Sequence, residues 1–278
     1  MSPAVITLTL TAAVLHATWN ALLRSGKDRL WSVTVMSLVT AAAAVPLAVL
    51  LPIPAPASWS YIGSSAVLQL GYGILLAYAY GQGELGQVYP LIRGSVPLLV
   101  TLAGFLLAGQ RLGRFALLGI ALVSLGIVAL GSDRSRPHAK TILLALATAG
   151  FVASYLTIDG LGVRLAGNAQ SYVAWIFLCY GALQPLAFRL LRRTFTVDLR
   201  SAEARKAIAA GAVSLLSYGA LVTALALGKL GPVSALRETS VVFSVLVGRL
   251  FLGERLTRRR LLACLAVASG AACIGSAS

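Results

Sequence analysis

Long apolar runs alternate with short polar turns from one end of the chain to the other. A helix needs about 20 apolar residues to cross a bilayer. On that measure the runs predict ten membrane spans, at approximately 3–23, 31–51, 60–80, 88–108, 114–131, 140–159, 170–190, 206–227, 232–252 and 258–276. The runs are continuously apolar rather than alternating, which excludes the strands of a lipid-embedded barrel. The expected fold is therefore an all-α integral membrane protein with ten transmembrane helices. The connections are too short to fold as soluble domains, and the longest, Leu191 to Arg205, is expected to carry a short interfacial helix. No Lys or Arg precedes the first run, so it is read as the first span rather than a cleaved signal.

The pattern repeats after half the chain. Arg93 and Arg237, Gly109 and Gly253, Arg111 and Arg255, Leu112 and Leu256, Arg114 and Arg258, and Gly126 and Gly270 all share one offset. The first helix of each half agrees, with Ala17-Thr18-Trp19 parallel to Ala153-Ser154-Tyr155. The division expected is a first five-helix repeat over 1–132, a connecting loop over 133–139 and a second five-helix repeat over 140–278. Five is odd, so the second half must lie upside down relative to the first. Inverted repeats are a common plan of secondary transporters, with substrate held where the halves meet.

Composition sharpens this picture. Of 278 residues, 58% are hydrophobic and only 11% charged, against about 25% charged in soluble domains; the mean hydropathy is +0.87. The net charge of +15 sits at the turns, where it suits anionic lipid headgroups rather than nucleic acid. Cys179, Cys264 and Cys273 all fall inside apolar spans and lack the pairing of a disulfide or zinc framework. With only His16 and His138, the chain has no H-E-x-x-H pattern, and it has neither a P-loop nor a nucleophile elbow. No metal and no cofactor is expected, and the chain is not expected to be an enzyme.

Ionisable residues inside apolar spans are the candidate functional groups, because they are costly in lipid unless they face protein or water. Arg237 and Glu238 stand side by side, expected about one turn inside the ninth helix after the break at Gly228–Pro232. Arg237 is a candidate for a substrate carboxylate or phosphate, Glu238 for an amine or a proton. The bland alternative is a neutralising pair that snorkels to the interface. Arg93, the repeat mate of Arg237, follows Tyr89 and Pro90, and Glu84 lies at the turn before them. His16, Trp19 and Asn20 share one helix face. His16 and Glu238 are the candidates for proton coupling. Trp19 and Tyr155 occupy matched positions, as two aromatic walls of one cavity or as structural core. Asp159 is expected at the end of the sixth helix, and Tyr72, Tyr78, Tyr80 and Tyr218 add phenol hydroxyls. The candidate substrate-binding set is Arg237, Glu238, Arg93, Trp19, Asn20, Tyr89 and Tyr155.

Together, His16-Ala-Thr-Trp-Asn20 with Lys27-Asp28, Val88-Tyr-Pro-Leu with Arg93-Gly-Ser95, Leu236-Arg-Glu-Thr-Ser240 and Gly253-Glu-Arg-Leu256 resemble the drug/metabolite transporter superfamily, EamA type. The resemblance covers essentially the whole chain. It departs at Gln110, where the first half more often carries an acid. It implies export of a small polar metabolite such as an amino acid, by alternating access between the repeats in a plasma (inner) membrane. Expected partners are a small-molecule substrate, the lipid bilayer and protons as coupling ion, with no nucleic acid, in a monomer or homodimer. Other readings open to the sequence are lipophilic cations or drugs, phosphonate- or nucleotide-linked metabolites, and a membrane enzyme acting on a lipid-linked substrate. Loop charge puts both termini outside by the positive-inside rule, whereas the resemblance implies both in the cytoplasm; either way the two ends share a side.

Overall fold

The computed structural model describes residues 1–23, 28–82, 85–131, 138–192, 198, 201–252 and 257–276. Glu84, Lys27, the Gly253–Leu256 turn, most of the 133–139 connection and residues 193–197 and 199–200 of the Leu191–Arg205 stretch lie outside the described residues, as does the side chain of Tyr80. Among the described residues the protein is all-α, with no strand: α1 (Pro3–Leu23), α2 (Arg29–Leu50), a 3-10 turn (Pro56–Ser58), α3 (Trp59–Gln82), α4 (Leu85–Ala108), α5 (Arg114–Leu130), α6 (Ala139–Leu165), α7 (Ala169–Arg192), α8 (Ala202–Leu227), α9 (Leu230–Arg237), α10 (Ser240–Leu252) and α11 (Arg258–Ser276). Seven of these helices are long and apolar enough to span a membrane. Large side chains such as Phe105, Leu106, Leu107, Phe115 and Leu125 are exposed on the outside, as lipid contact requires.

Two expectations fail in an informative way. The sixth helix runs six residues beyond Asp159, to Leu165, so Asp159 is interior rather than terminal. The ninth span is two helices: α9 ends at Arg237 and α10 begins at Ser240. Arg237 thus closes a short helix instead of lying one turn inside a long one. The break follows from Glu238-Thr-Ser240. The Thr239 hydroxyl and amide both bond to the Leu236 carbonyl, at 2.7 and 3.1 Å, and the Glu238 amide reaches Ala235 at 3.1 Å. Short hydroxyl side chains compete for the backbone in this way and tighten the turn until the helix stops.

Packing pairs the two halves of the chain. α1 lies against α8 and α6 against α3; α2 lies against α8 and α7 against α3; α2 meets α7 and α5 meets α11. The α5–α11 contact is the tightest. A Cβ on Gly119 would stand 2.6 Å from the Gly270 carbonyl oxygen, and one on Gly270 would stand 2.6 Å from that of Gly119. Small residues permit such backbone approach where no hydrophobic effect drives helices together. Gly275 approaches Ile6, so the two ends of the described chain meet at one end of the bundle, here called the terminal end.

The terminal end is laced shut by polar contacts. Arg164 donates to the carbonyls of Leu225 (3.0 Å) and Gly228, Gln170 to Thr223 (2.9 Å), Ser171 to the Pro52 carbonyl (2.6 Å), and the Ala55 amide to the Ala166 carbonyl (3.2 Å). Gly109, at φ +59°, ends α4 in the left-handed region that glycine favours. It turns Gln110 so that the side-chain oxygen accepts from the Leu230 amide at 2.9 Å. A neutral amide therefore caps α9 at the position where the resemblance leads one to expect an acid.

Candidate functional site

Opposite the laced end, a cavity of about 110 Å³ enters the bundle between the halves. Arg29 and Leu30, in the first turn of α2, line one part of it, and His16, Arg93 and Arg237 another. α2 is started by Asp28, whose carboxylate accepts from the Trp31 amide at 3.1 Å, a standard N-terminal cap.

The charged wall is assembled from three distant segments. α1 supplies His16, α4 supplies Arg93 one turn after Pro90, which the helix runs through, and the α9–α10 break supplies Arg237 and Glu238. Arg93 Nη1 and Arg237 Nη1 both donate to Glu238 Oε1, at 3.1 and 3.4 Å. The other terminal nitrogens of the same arginines reach the two ring nitrogens of His16: Arg93 Nη2 at Nε2, and Arg237 Nη2 at Nδ1 at 3.2 Å. Arg93 and Arg237 are each 4% exposed and Glu238 is 0% exposed. The snorkelling reading is thereby excluded, since these groups meet in the middle of the bundle.

Counting donors and acceptors shows what this wall lacks. A guanidinium only donates, and a neutral imidazole accepts at one nitrogen while the other carries hydrogen. One of the two arginine–histidine contacts therefore sets a donor against a donor. Two guanidiniums also face a single carboxylate, which leaves one excess positive charge. The cluster is short of one negative charge, while Glu238 Oε2 is itself a buried acceptor with no hydrogen-bond partner among the described residues.

The rest of the wall mixes aromatic and amide groups with aliphatic and hydroxyl side chains. Trp19 stands edge-on to His16 with ring centres 4.8 Å apart, and Tyr72 and Tyr155 are 6.0 Å apart. Phe177, Tyr180, Tyr218, Gln69 and Gln184 also line the cavity, together with Val33, Met36, Leu76, Ser214 and Ser217. Gln184 donates to Thr34 at 3.3 Å, while its side-chain oxygen is buried with no partner found.

Of the residues expected from sequence, Arg93, Arg237, His16, Trp19 and Tyr155 line the cavity. Glu238 does not: it stands behind the arginines as their counter-ion, a position that corrects its expected place as the ligand of an amine. Tyr89 also stands back, its ring 5.2 Å from the Arg93 guanidinium carbon, within cation–π range. Asn20 is not brought to the site; its side chain donates to the His16 carbonyl of its own helix at 2.9 Å. Gln69 and Gln184 were missed. The signal for both is an amide inside an otherwise apolar run, which a search for charges passes over.

An all-α bundle of lipid-length helices, with a broken helix carrying buried charge beside a largely apolar cavity, is the architecture of a multi-pass membrane protein. A model of the EamA-like transporter family matches residues 139–276, and the chain belongs to that family. An uncharacterized protein of Pseudomonas aeruginosa is 33% identical over 237 residues, covering 83% of this chain and 79% of its own length. A solved crystal structure superposes with a TM-score of 0.80 at 18% identity, covering 99% of this chain and 97% of that one, a likeness of fold. The protein is a multi-pass membrane protein of a transporter family.

Proposed function

We propose that the protein is a secondary transporter of a small polar metabolite bearing an anionic group, such as an amino acid, working by alternating access in a plasma (inner) membrane. The observation that carries this reading is the excess positive charge of Arg93 and Arg237 against the single Glu238 carboxylate, with both arginines lining the cavity. A carboxylate entering the cavity balances that excess charge and accepts from the guanidinium groups. Charge-assisted bonds to guanidinium are the strong ones. Lipophilic cations are disfavoured by the same excess charge.

The two five-helix repeats, 1–132 and 140–278, are proposed as the moving halves. Exchanging one repeat for the other turns the α1–α8 contact into α6–α3 and the α2–α8 contact into α7–α3, and each of these pairs occurs. Discontinuous helices at a repeat interface are the usual seat of a transporter's site, and Arg237 ends one. With the terminal end laced and the cavity reaching Arg29, this is one of the two states such a cycle requires. Export is the direction implied by the family resemblance.

Purified protein in proteoliposomes, loaded with an unlabelled amino-acid mixture and given a labelled one outside, tests the reading. Saturable counterflow that is lost in Arg237→Gln supports it. A folded wild-type protein with no counterflow overturns the amino-acid assignment. Counterflow of a labelled phosphonate in its place moves the anion from carboxylate to phosphonate.

A further inference from the structure

The binding wall does not use every buried charge-bearing group. Asp159 lies on α6, fully buried, and among the described residues no ion pair is found for it. Its oxygens accept from two phenols and from the Ser65 hydroxyl of α3: Tyr172 of α7 bonds to Oδ1 at 3.1 Å, and Tyr218 of α8 bonds to Oδ2. Tyr218 also lines the cavity, and its oxygen accepts from Gln69 Nε2 at 3.3 Å, a nitrogen that further donates to Ser65 at 3.1 Å. Tyr218 is thus the connection between a buried carboxyl and the substrate space.

Resting on the transport reading above, we infer that Asp159 is the proton-binding site of the transporter and that Tyr218 transmits its protonation state to the cavity. The hydrogen-bond inventory gives the mechanism. With Asp159 a carboxylate, Tyr218 gives its one hydrogen to Oδ2 and presents no donor to the cavity. When a proton binds at Oδ2, the new O–H donates to the Tyr218 oxygen, which has a second lone pair beside the one used by Gln69. The phenol hydrogen must then turn elsewhere, and the open direction is the cavity. Protonation therefore adds a donor to a wall that binds an acceptor-bearing substrate. By linkage, substrate binding also favours the proton, so the two travel together.

The neighbours permit this role. α8 presents Tyr218, α7 presents Tyr172, and α3 presents Ser65 and Gln69, with Tyr61 a turn along beside Gly162. On α6 itself, Tyr155 lies one turn back, and Arg164 lies beyond, bonded to the end of α8. α4 and α9 bring Arg93 and Arg237 to the cavity beside Tyr155, already engaged by Glu238 and His16. The 3-10 turn, Pro56–Ser58, has no titratable side chain. His16 and Glu238, the coupling candidates of the sequence, are committed to the arginines.

The test is counterflow of a labelled amino-acid mixture at equal pH on both sides, repeated across a pH series. Wild-type affinity is expected to rise about tenfold as pH falls, the value of one added hydrogen bond to a charged acceptor. Asp159→Asn, whose amide donates permanently toward Tyr218, is expected to hold the high affinity at every pH. Tyr218→Phe is expected to hold the low affinity at every pH. Wild-type pH dependence persisting in either variant overturns the inference. Infrared pH-difference spectra of the substrate-free protein give a readout independent of transport. A titrating protonated-carboxyl band, absent in Asp159→Asn and shifted in Tyr218→Phe, supports the proton site even where the mixture gives no counterflow, which is the failure of the transport reading. An identical band in wild type and Asp159→Asn overturns the site.

Discussion

Arg93 and Glu238, 145 positions apart in the chain, form a buried ion pair of 3.1 Å. The second ligand of the same carboxylate oxygen is Arg237, at 3.4 Å. Glu238 is therefore a joint between the first half of the chain and the broken helix of the second, and it is the only carboxylate found against either guanidinium among the described residues.

Removing that carboxylate leaves two buried cations without a counter-ion. Glu238→Gln is expected to destabilise the fold by about 3–5 kcal/mol, read from thermal unfolding of the purified protein in detergent. Arg93→Gln combined with Glu238→Gln is expected to recover part of the loss, because one charge then replaces two. An unfolding midpoint unchanged by Glu238→Gln would sink this account of the joint.

Arg237 holds Glu238 and His16 with different nitrogens of one planar group. Arg237→Lys keeps the charge and loses the fork. The expected outcome is a folded protein whose half-saturating concentration in counterflow rises at least about tenfold. Wild-type kinetics would mean that charge alone matters at this position.

Gln184 lines the cavity, and its side-chain oxygen is a buried acceptor with no partner among the described residues. Gln184→Leu removes an unsatisfied group, so stability is expected to hold or rise. If the oxygen receives a substrate N–H, affinity falls by about tenfold over the same substitution. Affinity and stability falling together would instead mark Gln184 as structural.

The Ala55 amide to Ala166 carbonyl bond, at 3.2 Å, ties the terminal end across the two halves. Cysteines at both positions, in a background lacking Cys179, Cys264 and Cys273, are expected to form a disulfide that stops counterflow. Reduction is expected to restore it. Full transport through the oxidised, cross-linked protein would mean that this end does not open.

Gly119 and Gly270 touch backbone to backbone. Gly119→Ala places a methyl group against a carbonyl that cannot turn aside, and about 1–3 kcal/mol of destabilisation is expected from overpacking. A thermal midpoint equal to wild type would show that α5 and α11 separate freely.

The spans were legible because lipid imposes a simple rule. Every backbone group must be satisfied within its own helix, so a long apolar run has one solution, and α1, α5 and α11 begin where the runs begin. The break at Glu238–Thr239 was not legible in the same way. Hydropathy averages over the whole run, whereas the break depends on which carbonyl the Thr239 hydroxyl takes. Asn20 illustrates the converse. It was expected beside His16 and Trp19, but its side chain turns to its own backbone, an option that spacing does not reveal.

Sequence alone determined that the chain crosses a membrane as helices, and it marked His16, Arg93 and Arg237 as costly in lipid unless they face protein or water. These conclusions rest on local composition and spacing, which one chain displays in full. Only the tertiary structure decided that the three form a single wall, that Glu238 stands behind it, and that Asp159 reaches the cavity through Tyr218. Those outcomes depend on which helix faces pack against each other. Helix packing in lipid is set by close approach of small residues and by cross-chain hydrogen bonds, and neither is written in any one stretch of the sequence.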